Sequence, residues 1–194
     1  MNALILVVIL ALVEGITEFL PVSSTGHMIL VNKLIGGEYL SPTFTNSFLI
    51  IIQLGAILSV VVYFWKDLTP FVGTKEKFVL RFRLWVKIIV GVIPAMVIGL
   101  FLDDIIDKYF MDNVTTIAIT LIVYGIIFIA IEVIYKIKNV KARVRKFSDL
   151  KYGTAFLIGF FQCLAMIPGT SRSGATIIGA LLLGLSRPLA AEFS

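Results

Sequence analysis

The amino-acid sequence predicts an all-α, polytopic membrane protein built as an inverted-topology repeat. Hydrophobic residues make up 59% of the 194-residue chain and charged residues only 15%. Uncharged apolar runs recur at or near the roughly 20 residues that a helix needs to cross a hydrocarbon core about 30 Å thick. Two similar polar segments also interrupt the apolar sequence, one near each end. We therefore expect a single membrane domain that covers residues 1–194.

The two polar segments are the basis of the predicted repeat. The first reads VEGITEFLPVSSTGHMIL from Val13, and the second reads FQCLAMIPGTSRSGATII from Phe161. They align without a gap, which indicates a duplicated architecture with one site shared by both copies. The aligned pairs include Glu14 with Gln162, Ser23 with Ser171, Thr25 with Ser173, and Gly26 with Gly174.

The first copy predicts a helical hairpin over residues 3–36. A helix over 3–19 leads to a break at Pro21 and residues 23–26, and a second helix follows from about 27 to 36. Proline removes a backbone donor and glycine relaxes the backbone, so the chain is expected to break inside the apolar region. The second helix is too short to span a membrane, and we interpret the hairpin as re-entrant.

Three spanning helices are predicted between the copies. Their directions follow from the charges of the segments that connect them, because cytoplasmic loops are enriched in Lys and Arg. Segments 66–83 and 136–151 are rich in basic residues and are expected in the cytoplasm, whereas segment 103–113 carries four Asp residues and is expected outside. The predicted spans cover residues 48–65, 84–102 and 114–135.

An odd number of spans inverts the second copy relative to the first, so the first hairpin enters from outside and the second from inside. Repeat 1 comprises residues 1–135 and repeat 2 comprises 152–194. In repeat 2 a helix over 153–167 leads to a break at Pro168, and a second helix ends near 185. No further spans follow. We therefore expect the chain to be truncated, with its C-terminal spans missing, and to be inactive without them.

Four charged or titratable residues lie close to the two breaks. Glu14 and Glu18 are four residues apart and share a helix face. His27 is the single histidine of the chain, and Arg172 lies at the second break. A charge at the bilayer centre costs about 2.5–3.5 kcal/mol on insertion scales, so such groups persist where they pair or bind a ligand. A buried structural Glu–Arg pair is the alternative explanation, but it does not explain the hydroxyl and glycine residues at both breaks.

These residue types favour a phosphate site. Helix N-termini flanked by Gly and Ser bind anions through backbone N–H groups, and an arginine guanidinium matches phosphate oxygens. Glu14 and Glu18 would repel a phosphate unless a cation lay between them, so we expect Mg²⁺ or Ca²⁺ at these two carboxylates. Hydroxyl groups are supplied by Ser23, Ser24, Thr25, Ser171 and Ser173.

The segments EGITEFLPVSSTGH and PGTSRSGAT resemble the signature pair of the bacitracin-resistance undecaprenyl-diphosphate phosphatases, and the similarity continues through FLIIIQLGAIL and SRPLAAEFS. The resemblance implies a multi-pass protein of the bacterial cytoplasmic membrane with paired re-entrant hairpins. It implies hydrolysis of the C55 polyprenyl diphosphate, which recycles the lipid carrier for peptidoglycan synthesis. It also implies a divalent cation and an active site that faces the outer side. Members of this family are longer than this chain.

The resemblance also implies roles for individual residues. Which atom attacks phosphorus stays open: Ser24 or a metal-activated water is preferred, with His27 as base or acid, and attack by His27 itself remains an option. Arg172 would stabilise charge in the transition state. The implied catalytic residues are Glu14, Glu18, Ser24, His27 and Arg172, with Glu14 and Glu18 as metal ligands. The implied substrate-binding residues are Ser23, Thr25, Gly26, Ser171, Ser173, Gly174 and Thr176.

Two other classes of function stay open at this point. Inverted repeats, broken helices and an anion site are also typical of a transporter or flippase for a phosphorylated polyprenyl lipid, and a non-catalytic membrane subunit is a weaker option. A carboxylate pair beside Ser24 and His27 favours hydrolysis over transport. Nucleic acid is not an expected partner, because the net charge of +5 reflects the two basic segments. The expected partners are the polyprenyl diphosphate substrate and membrane lipid, with a homodimer as an open option.

Several residues outside the breaks are expected to have structural roles. Glu132 lies near the cytoplasmic end of its span and is expected either to extend its carboxylate toward the membrane surface or to pair with Lys136, four residues further along the helix. Gln53 is expected either to contact the site or to form a hydrogen bond between helices. The glycines interpreted as close-packing positions between helices are Gly55, Gly91 and Gly99.

Overall fold

The fold is helical throughout the part of the chain that the structure describes. The structure is a computed structural model that describes residues 3–36, 42–69, 71, 74–110 and 114–194. Within these ranges the one β interaction is an isolated parallel bridge between Val144 and Leu185. Two helical sections, Lys75–Leu102 and Val114–Ile137, are long and apolar enough to cross a membrane. The predicted all-α fold class is therefore confirmed.

The helices follow the predicted order. Short π and 3₁₀ segments accompany them at Asn32–Gly36, Phe147–Asp149 and Leu164–Met166. The α-helices in chain order are α1 (Ala3–Thr17), α2 (Ser24–Val31), α3 (Pro42–Tyr63), α4 (Trp65–Leu68), α5 (Lys75–Phe110), α6 (Val114–Ile137), α7 (Tyr152–Cys163), α8 (Arg172–Leu182) and α9 (Arg187–Phe193).

Both copies of the repeat fold as helix, break and helix. Helices α1 and α2 flank the first break and pack against each other, as α7 and α8 do around the second. In the first copy, α2 begins at Ser24, earlier than the predicted start near 27, because Ser23 already caps the helix. In the second copy, the backbone N–H groups of Arg143 and Val144 donate to the Gly184 carbonyl at 2.8 and 3.1 Å. The end of this hairpin therefore returns to the segment that precedes it.

The spanning helices differ in length from the prediction. Helix α6 matches the predicted span 114–135 closely, but α5 has 36 residues and extends well beyond 84–102 at both ends. It continues because the sequence from Lys75 to Val90 contains neither Gly nor Pro, so nothing stops helical hydrogen bonding. Half of the predicted basic segment 66–83, from residue 75 to 83, is thus part of this helix. The apolar section of α3 is shorter, with 17 residues over Ser47–Tyr63.

The two basic segments lie at one end of the molecule. Lys87 Nζ in α5 donates to the Phe147 carbonyl at 2.5 Å, and Trp85 Nε1 donates to the Leu68 carbonyl at 2.8 Å. If both basic segments lie in the cytoplasm, as predicted, they must be at the same end of the molecule. The side chains of residues 103–110 and all of residues 111–113 lie outside the described part, so the outer location of the acidic segment stays a prediction.

Two apolar clusters stabilise the two hairpins. In the first, the fully buried Leu6, Leu10 and Met28 join α1 to α2 and pack against Phe48 and Leu49 of α3. The second cluster surrounds the other hairpin near the basic end, with buried Leu150, Ile158, Ala180, Leu181, Leu185, Leu189 and Ala190. Most other large apolar side chains are exposed, including Ile122, Ile126 and Ile129 of α6. Exposed apolar surface on this scale fits a lipid environment rather than water.

Helices α5 and α7 cross with almost no space between their backbones. A Cβ at Gly91 would lie 3.3 Å from the Ala155 carbonyl oxygen, and a Cβ at Gly99 would lie 3.5 Å from the Met166 methyl group. The prediction for Gly91 is confirmed, whereas Gly99 makes an ordinary contact with the Met166 side chain. The prediction for Gly55 is wrong for the described part of the chain, where a Cβ at this position would meet nothing within 4 Å.

Of the two alternatives for Glu132, the pair with Lys136 is wrong, whereas the side chain is 64% exposed, as the other alternative expects. Glu132 accepts from the Arg187 guanidinium at 2.9–3.2 Å and does not pair with Lys136. Arg187 also lies over the Tyr135 ring, 5.6 Å from its centroid. The planar guanidinium binds both carboxylate oxygens of Glu132 and at the same time stacks on the Tyr135 ring. The ammonium group of a lysine cannot make both interactions. This pair fastens α9 to α6.

Substituting Gly159 tests the crossing of α5 and α7. A Cβ at this position would collide with the Gly91 carbonyl oxygen and lie 2.9 Å from the Pro94 ring. We expect Gly159→Ala to lower the free energy of unfolding by about 1–3 kcal/mol through overpacking. Thermal unfolding of the full-length protein in detergent measures the change.

Gly153→Ala is the matched control on the same helix, since a Cβ there would meet nothing within 4 Å. It should be neutral or stabilising by about 0.5–1 kcal/mol, because alanine favours the helix. Equal melting temperatures for the two variants would contradict the close crossing.

Candidate functional site

The two hairpin breaks meet in the interior of the protein. A Cβ at Gly26 would lie 3.5 Å from the Gly169 Cα, and a Cβ at Gly174 would lie 3.2 Å from the Pro21 carbonyl oxygen. These contacts are reciprocal, because Gly26 aligns with Gly174 and Pro21 aligns with Gly169 in the repeat. The predicted meeting of the two copies is therefore observed.

Each break ends at a serine that caps the following helix. Ser23 Oγ accepts from the Gly26 N–H at 3.3 Å, and Ser171 Oγ accepts from the Gly174 N–H at 3.1 Å. The caps satisfy helix donors that would otherwise be unpaired. The backbones differ, since Ser171 has a φ of −75° whereas Ser23 has a φ of 62°. A positive φ strains a residue with a Cβ, and such strain occurs at functional sites.

Glu18 joins the first break to the second. Its Oε2 accepts from Ser24 Oγ at 2.5 Å, and its Oε1 accepts from Arg172 Nη2 at 3.3 Å. The Arg172 side chain is 59% exposed and the Glu18 side chain 19%, so the guanidinium still has donors for a ligand. The predicted Glu–Arg pair exists, but it lies at the wall of a cavity rather than sealed in the core.

Glu14 is buried without hydrogen bonds. It is 1% exposed, and neither of its carboxylate oxygens has a hydrogen-bond partner in the described part of the chain. Ser24 and Glu18 are its close polar neighbours, but the Ser24 hydroxyl donates to Glu18. An isolated buried carboxylate is costly and is stabilised by a proton or a cation. Glu14 next to Glu18 therefore fits the donor set of a hard divalent cation.

A cavity of about 1300 Å³ lies against both breaks. Seven of the predicted site residues line it, and they come from both copies. The lining residues among the predictions are Glu18, Ser23, Ser24, Thr25, Ser171, Arg172 and Ser173. The predicted residues that do not line it are Glu14, Gly26, His27, Gly174 and Thr176.

The predicted residues outside the cavity wall have other contacts. His27 Nδ1 lies 2.9 Å from the Ser23 carbonyl oxygen, so it donates there and leaves Nε2 as the basic nitrogen. Thr176 Oγ1 lies 3.0 Å from the carbonyl oxygens of Arg172 and Ser173, within its own helix. Gly26 and Gly174 permit the close approach of the breaks, as described above.

Two further residues belong to the cavity wall. Gln53 Nε2 of α3 donates to Thr25 Oγ1 at 2.8 Å, and Gln53 lines the cavity. Gln53 therefore both contacts the site and forms a hydrogen bond between helices, the two alternatives that the sequence left open. Thr170 is buried, lines the cavity, and makes no hydrogen bond through Oγ1 in the described part of the chain, with Tyr124 nearby. Sequence reasoning missed Thr170, although its place between Gly169 and Ser171 in PGTSRSG was an available signal.

Described residues do not form a complete metal site on their own. No group of three or more His, Cys, Asp and Glu side chains able to hold a metal occurs among the residues that the structure describes. A cation at Glu14 and Glu18 would need further oxygen ligands from hydroxyl groups, water or a phosphate. Phosphate oxygens are common partners of Mg²⁺ in such sites.

The chain is similar to known membrane phosphatases. A family model described as "Bacitracin resistance protein BacA" matches residues 7–194. An undecaprenyl-diphosphatase of Fusobacterium nucleatum subsp. nucleatum is 84% identical over 189 residues, which are 97% of this chain and 71% of that protein. Undecaprenyl-diphosphatase 1 of Clostridioides difficile is 53% identical over 189 residues, covering 96% and 67%. An undecaprenyl-diphosphatase of Enterococcus faecalis is 48% identical over 192 residues, covering 97% and 68%.

The two capping serines should respond differently to glycine. Alanine at either position removes the cap and should cost about 0.5–2 kcal/mol of stability, whereas glycine at a cap costs a few tenths. At Ser23 glycine also relieves the positive φ, which is worth roughly 1–2 kcal/mol. Thermal unfolding should therefore show a larger difference between the Ala and Gly variants at Ser23 than at Ser171. Equal differences at the two positions would argue against the strained backbone at Ser23.

Proposed function

The chain belongs to the bacitracin resistance protein BacA family, and we propose that it hydrolyses undecaprenyl diphosphate to undecaprenyl phosphate and inorganic phosphate. Its relatives bear the name of this activity. The proposal depends on one observation: Glu18 of the first break holds both the Ser24 hydroxyl and the Arg172 guanidinium at the wall of one cavity. The reaction regenerates the lipid carrier for peptidoglycan synthesis, which explains the link of the family to bacitracin resistance.

Arg172 is the residue best placed to bind the terminal phosphate. It is the first residue of α8, so its guanidinium lies beside the positive end of the helix dipole. The hydroxyl groups of Ser171 and Ser173 are 3.1 Å apart at the same helix start and line the cavity. A phosphate bound here would compete with Glu18 for Arg172 and would free the carboxylate for proton transfer.

Ser24, or a water at its position, acts as the nucleophile in our proposal. Its hydroxyl proton already points to Glu18 Oε2 at 2.5 Å, so Glu18 is the geometrically favoured base and His27 is not. Ser24 Oγ would bond to the terminal phosphorus as the bond from phosphorus to the bridging oxygen breaks, releasing undecaprenyl phosphate. Water would then attack the phosphoserine, and the bond from phosphorus to Ser24 would break to release inorganic phosphate.

Glu14 and Glu18 would hold a divalent cation, Mg²⁺ or Ca²⁺. The orphaned oxygens of Glu14 support this assignment, because they lie beside Glu18 without a partner among the described residues. The cation would supply positive charge that offsets repulsion between the carboxylates and the diphosphate. Glu14, which is buried and does not line the cavity, would then be one ligand of the cation, and Glu18 would be the ligand that faces the cavity.

We also propose the inverted arrangement of the two hairpins in a bacterial cytoplasmic membrane. The first hairpin packs against Phe48, Leu49 and Ile52 of α3, in the half of that helix remote from the basic end. The second hairpin starts and finishes beside the basic end. Entry from opposite sides accounts for both observations. The opening of the site toward the outer side is proposed from the family resemblance alone, since the described cavity wall extends to the basic end. Both breaks come from one chain, so this site needs no residue from a homodimer partner.

Lipid translocation is a second candidate function. The same cavity continues along α5 to Arg81 and Lys87 at the basic end. A site reached from both ends is what a flippase for a phosphorylated polyprenyl lipid requires. Hydrolysis is preferred because a hydroxyl hydrogen-bonded to a carboxylate has no evident use in transport.

Arg172→Ala should reduce phosphate release from undecaprenyl diphosphate by roughly 100- to 1000-fold, as expected when a preorganised donor is removed from a transition state. Release of inorganic phosphate by the full-length protein in detergent with Mg²⁺ measures this. Arg172→Lys should recover only part of the rate, since it keeps the charge without the planar fork.

Arg187→Ala is the matched control, because Arg187 also starts a short helix and pairs with a glutamate but does not line the cavity. It should retain most of the activity. The proposed function fails if the purified, folded protein releases no phosphate, or if the two alanine variants are equally active.

Glu14→Gln tests the cation through stability as well as activity. In EDTA the variant should melt at a higher temperature than the unsubstituted protein, because an uncompensated buried carboxylate is removed. Mg²⁺ should raise the melting temperature of the unsubstituted protein by binding the folded state, and this increase should shrink in Glu14→Gln. Phosphate release by the variant should require more Mg²⁺.

Glu132→Gln, at a glutamate that pairs with Arg187 and does not line the cavity, should show the normal response to Mg²⁺. Identical Mg²⁺ responses of Glu14→Gln and the unsubstituted protein would exclude Glu14 as a cation ligand.

A further inference from the structure

We infer that the basic end of the cavity is a second anion-binding site, formed by Arg81, Arg83 and Lys87, that takes a phosphate group. The inference rests on the proposed function for the source of that phosphate, which is a product of hydrolysis at the breaks. Three observations support it: the position of the three cations in the cavity wall, the lack of a close acidic partner for Arg83 and Lys87 among the described residues, and the apolar side chains that line the same cavity.

The three cations line the same cavity as the hairpin breaks. Arg81, Arg83 and Lys87 contribute to its wall together with Ala95, which lies further along α5. Fourteen residues separate position 81 from position 95, and at about 1.5 Å per residue the wall extends roughly 21 Å along the helix. The basic end is therefore a separate region of the cavity, distinct from the region around Arg172.

Lys87 is buried without a close counter-ion. It is 6% exposed, its Nζ donates to the Phe147 carbonyl at 2.5 Å, and it lies 5.7 Å from the centre of the Tyr152 ring. These partners are neutral. Within the described residues, neither Lys87 nor Arg83 has an acidic oxygen within 4 Å, although the charge of Asp149 reaches Lys87. A buried ammonium next to another cation is unfavourable unless an anion binds there.

The positive-inside rule does not explain this arrangement by itself. It accounts for basic residues at the cytoplasmic end, but such residues are stable on the exposed surface, where Arg145 and Lys146 lie. It does not account for a buried lysine that faces a cavity.

Apolar side chains line the cavity beside these cations. They are Val60 and Val61 of α3, Phe64 between α3 and α4, Leu68 of α4, and Leu80 and Leu84 of α5. Such a surface accommodates a hydrocarbon chain, while guanidinium and ammonium groups bind phosphate oxygens. A phosphate on a polyprenyl chain and free inorganic phosphate share the chemistry that this end recognises.

Binding to a protein with a disabled first site tests the inference. Native mass spectrometry of the full-length Arg172→Ala protein in detergent should show one bound undecaprenyl phosphate. Adding Arg83→Gln and Lys87→Gln should weaken this binding by roughly 100-fold, because two charge-assisted contacts are lost. Glutamine at position 87 can still donate to the Phe147 carbonyl, and melting temperature and gel filtration confirm that the variant is folded.

The matched control removes two charges from the same end but outside the cavity. Arg172→Ala combined with Arg145→Gln and Lys146→Gln should bind undecaprenyl phosphate as the single variant does. In a separate experiment, inorganic phosphate is added to compete with undecaprenyl phosphate. If it displaces the lipid, the site recognises phosphate alone. If it does not, binding requires the polyprenyl chain.

The second site is excluded if Arg172→Ala binds no undecaprenyl phosphate, or if the Arg83 and Lys87 substitutions leave binding unchanged. It is also excluded if the surface control loses binding equally, since that result indicates non-specific charge attraction. Phosphate release by the unsubstituted protein is measured separately. Its absence would overturn the proposed hydrolysis without affecting the result at the basic end.

Discussion

The close approach of the two hairpin breaks is the constraint on which the rest of the site depends. Irregular backbone inside a membrane is stable only when it is buried in protein or lines a wet cavity, and its N–H groups need partners. Here each break is covered by the other: Gly26 lies against Gly169, and Gly174 lies against the Pro21 carbonyl. A Cβ at Gly174 would press on the Pro21 carbonyl oxygen at 3.2 Å and would push the breaks apart. The separation would also pull Glu18 away from Arg172, so packing and chemistry depend on the same contacts.

Features that depend on local sequence were predictable. The breaks, the helices around them and the span at α6 follow from proline, glycine and apolar runs, and the alignment of Ser23 with Ser171 correctly indicated equivalent positions. Features that depend on distant contacts were not predictable. Glu132 pairs with Arg187, 55 residues away, because tertiary packing brings α9 beside α6. Likewise Gly55 faces open space, and no local pattern distinguishes it from Gly91.

The candidate site was predicted in its residue types more accurately than in its geometry. A motif shows which residues cluster along the chain, but the direction of each side chain depends on the helix that bears it. Thr176 is one helical turn beyond Arg172, and its hydroxyl contacts carbonyls of its own helix and the Ser194 hydroxyl instead of lining the cavity itself. Gln53 is distant in sequence from both motifs, yet the crossing of α3 over the first break brings it to Thr25. Helix crossings of this kind require the tertiary structure.

The two copies share a backbone design but have diverged in charge, and this divergence is what makes one site from two hairpins. Glu14 aligns with Gln162, Glu18 with Met166, and Ser24 with Arg172. The first copy therefore supplies the acids and the hydroxyl, and the second supplies the cation. Two identical copies would place either two carboxylate pairs or two guanidinium groups around one phosphate, and the like charges would repel each other. With divergent copies, a phosphate bound between the breaks as proposed would meet Arg172 from one hairpin and the Ser24–Glu18 pair from the other. The structural symmetry brings the breaks together, and the chemical asymmetry would suit their meeting point to the proposed phosphoryl transfer.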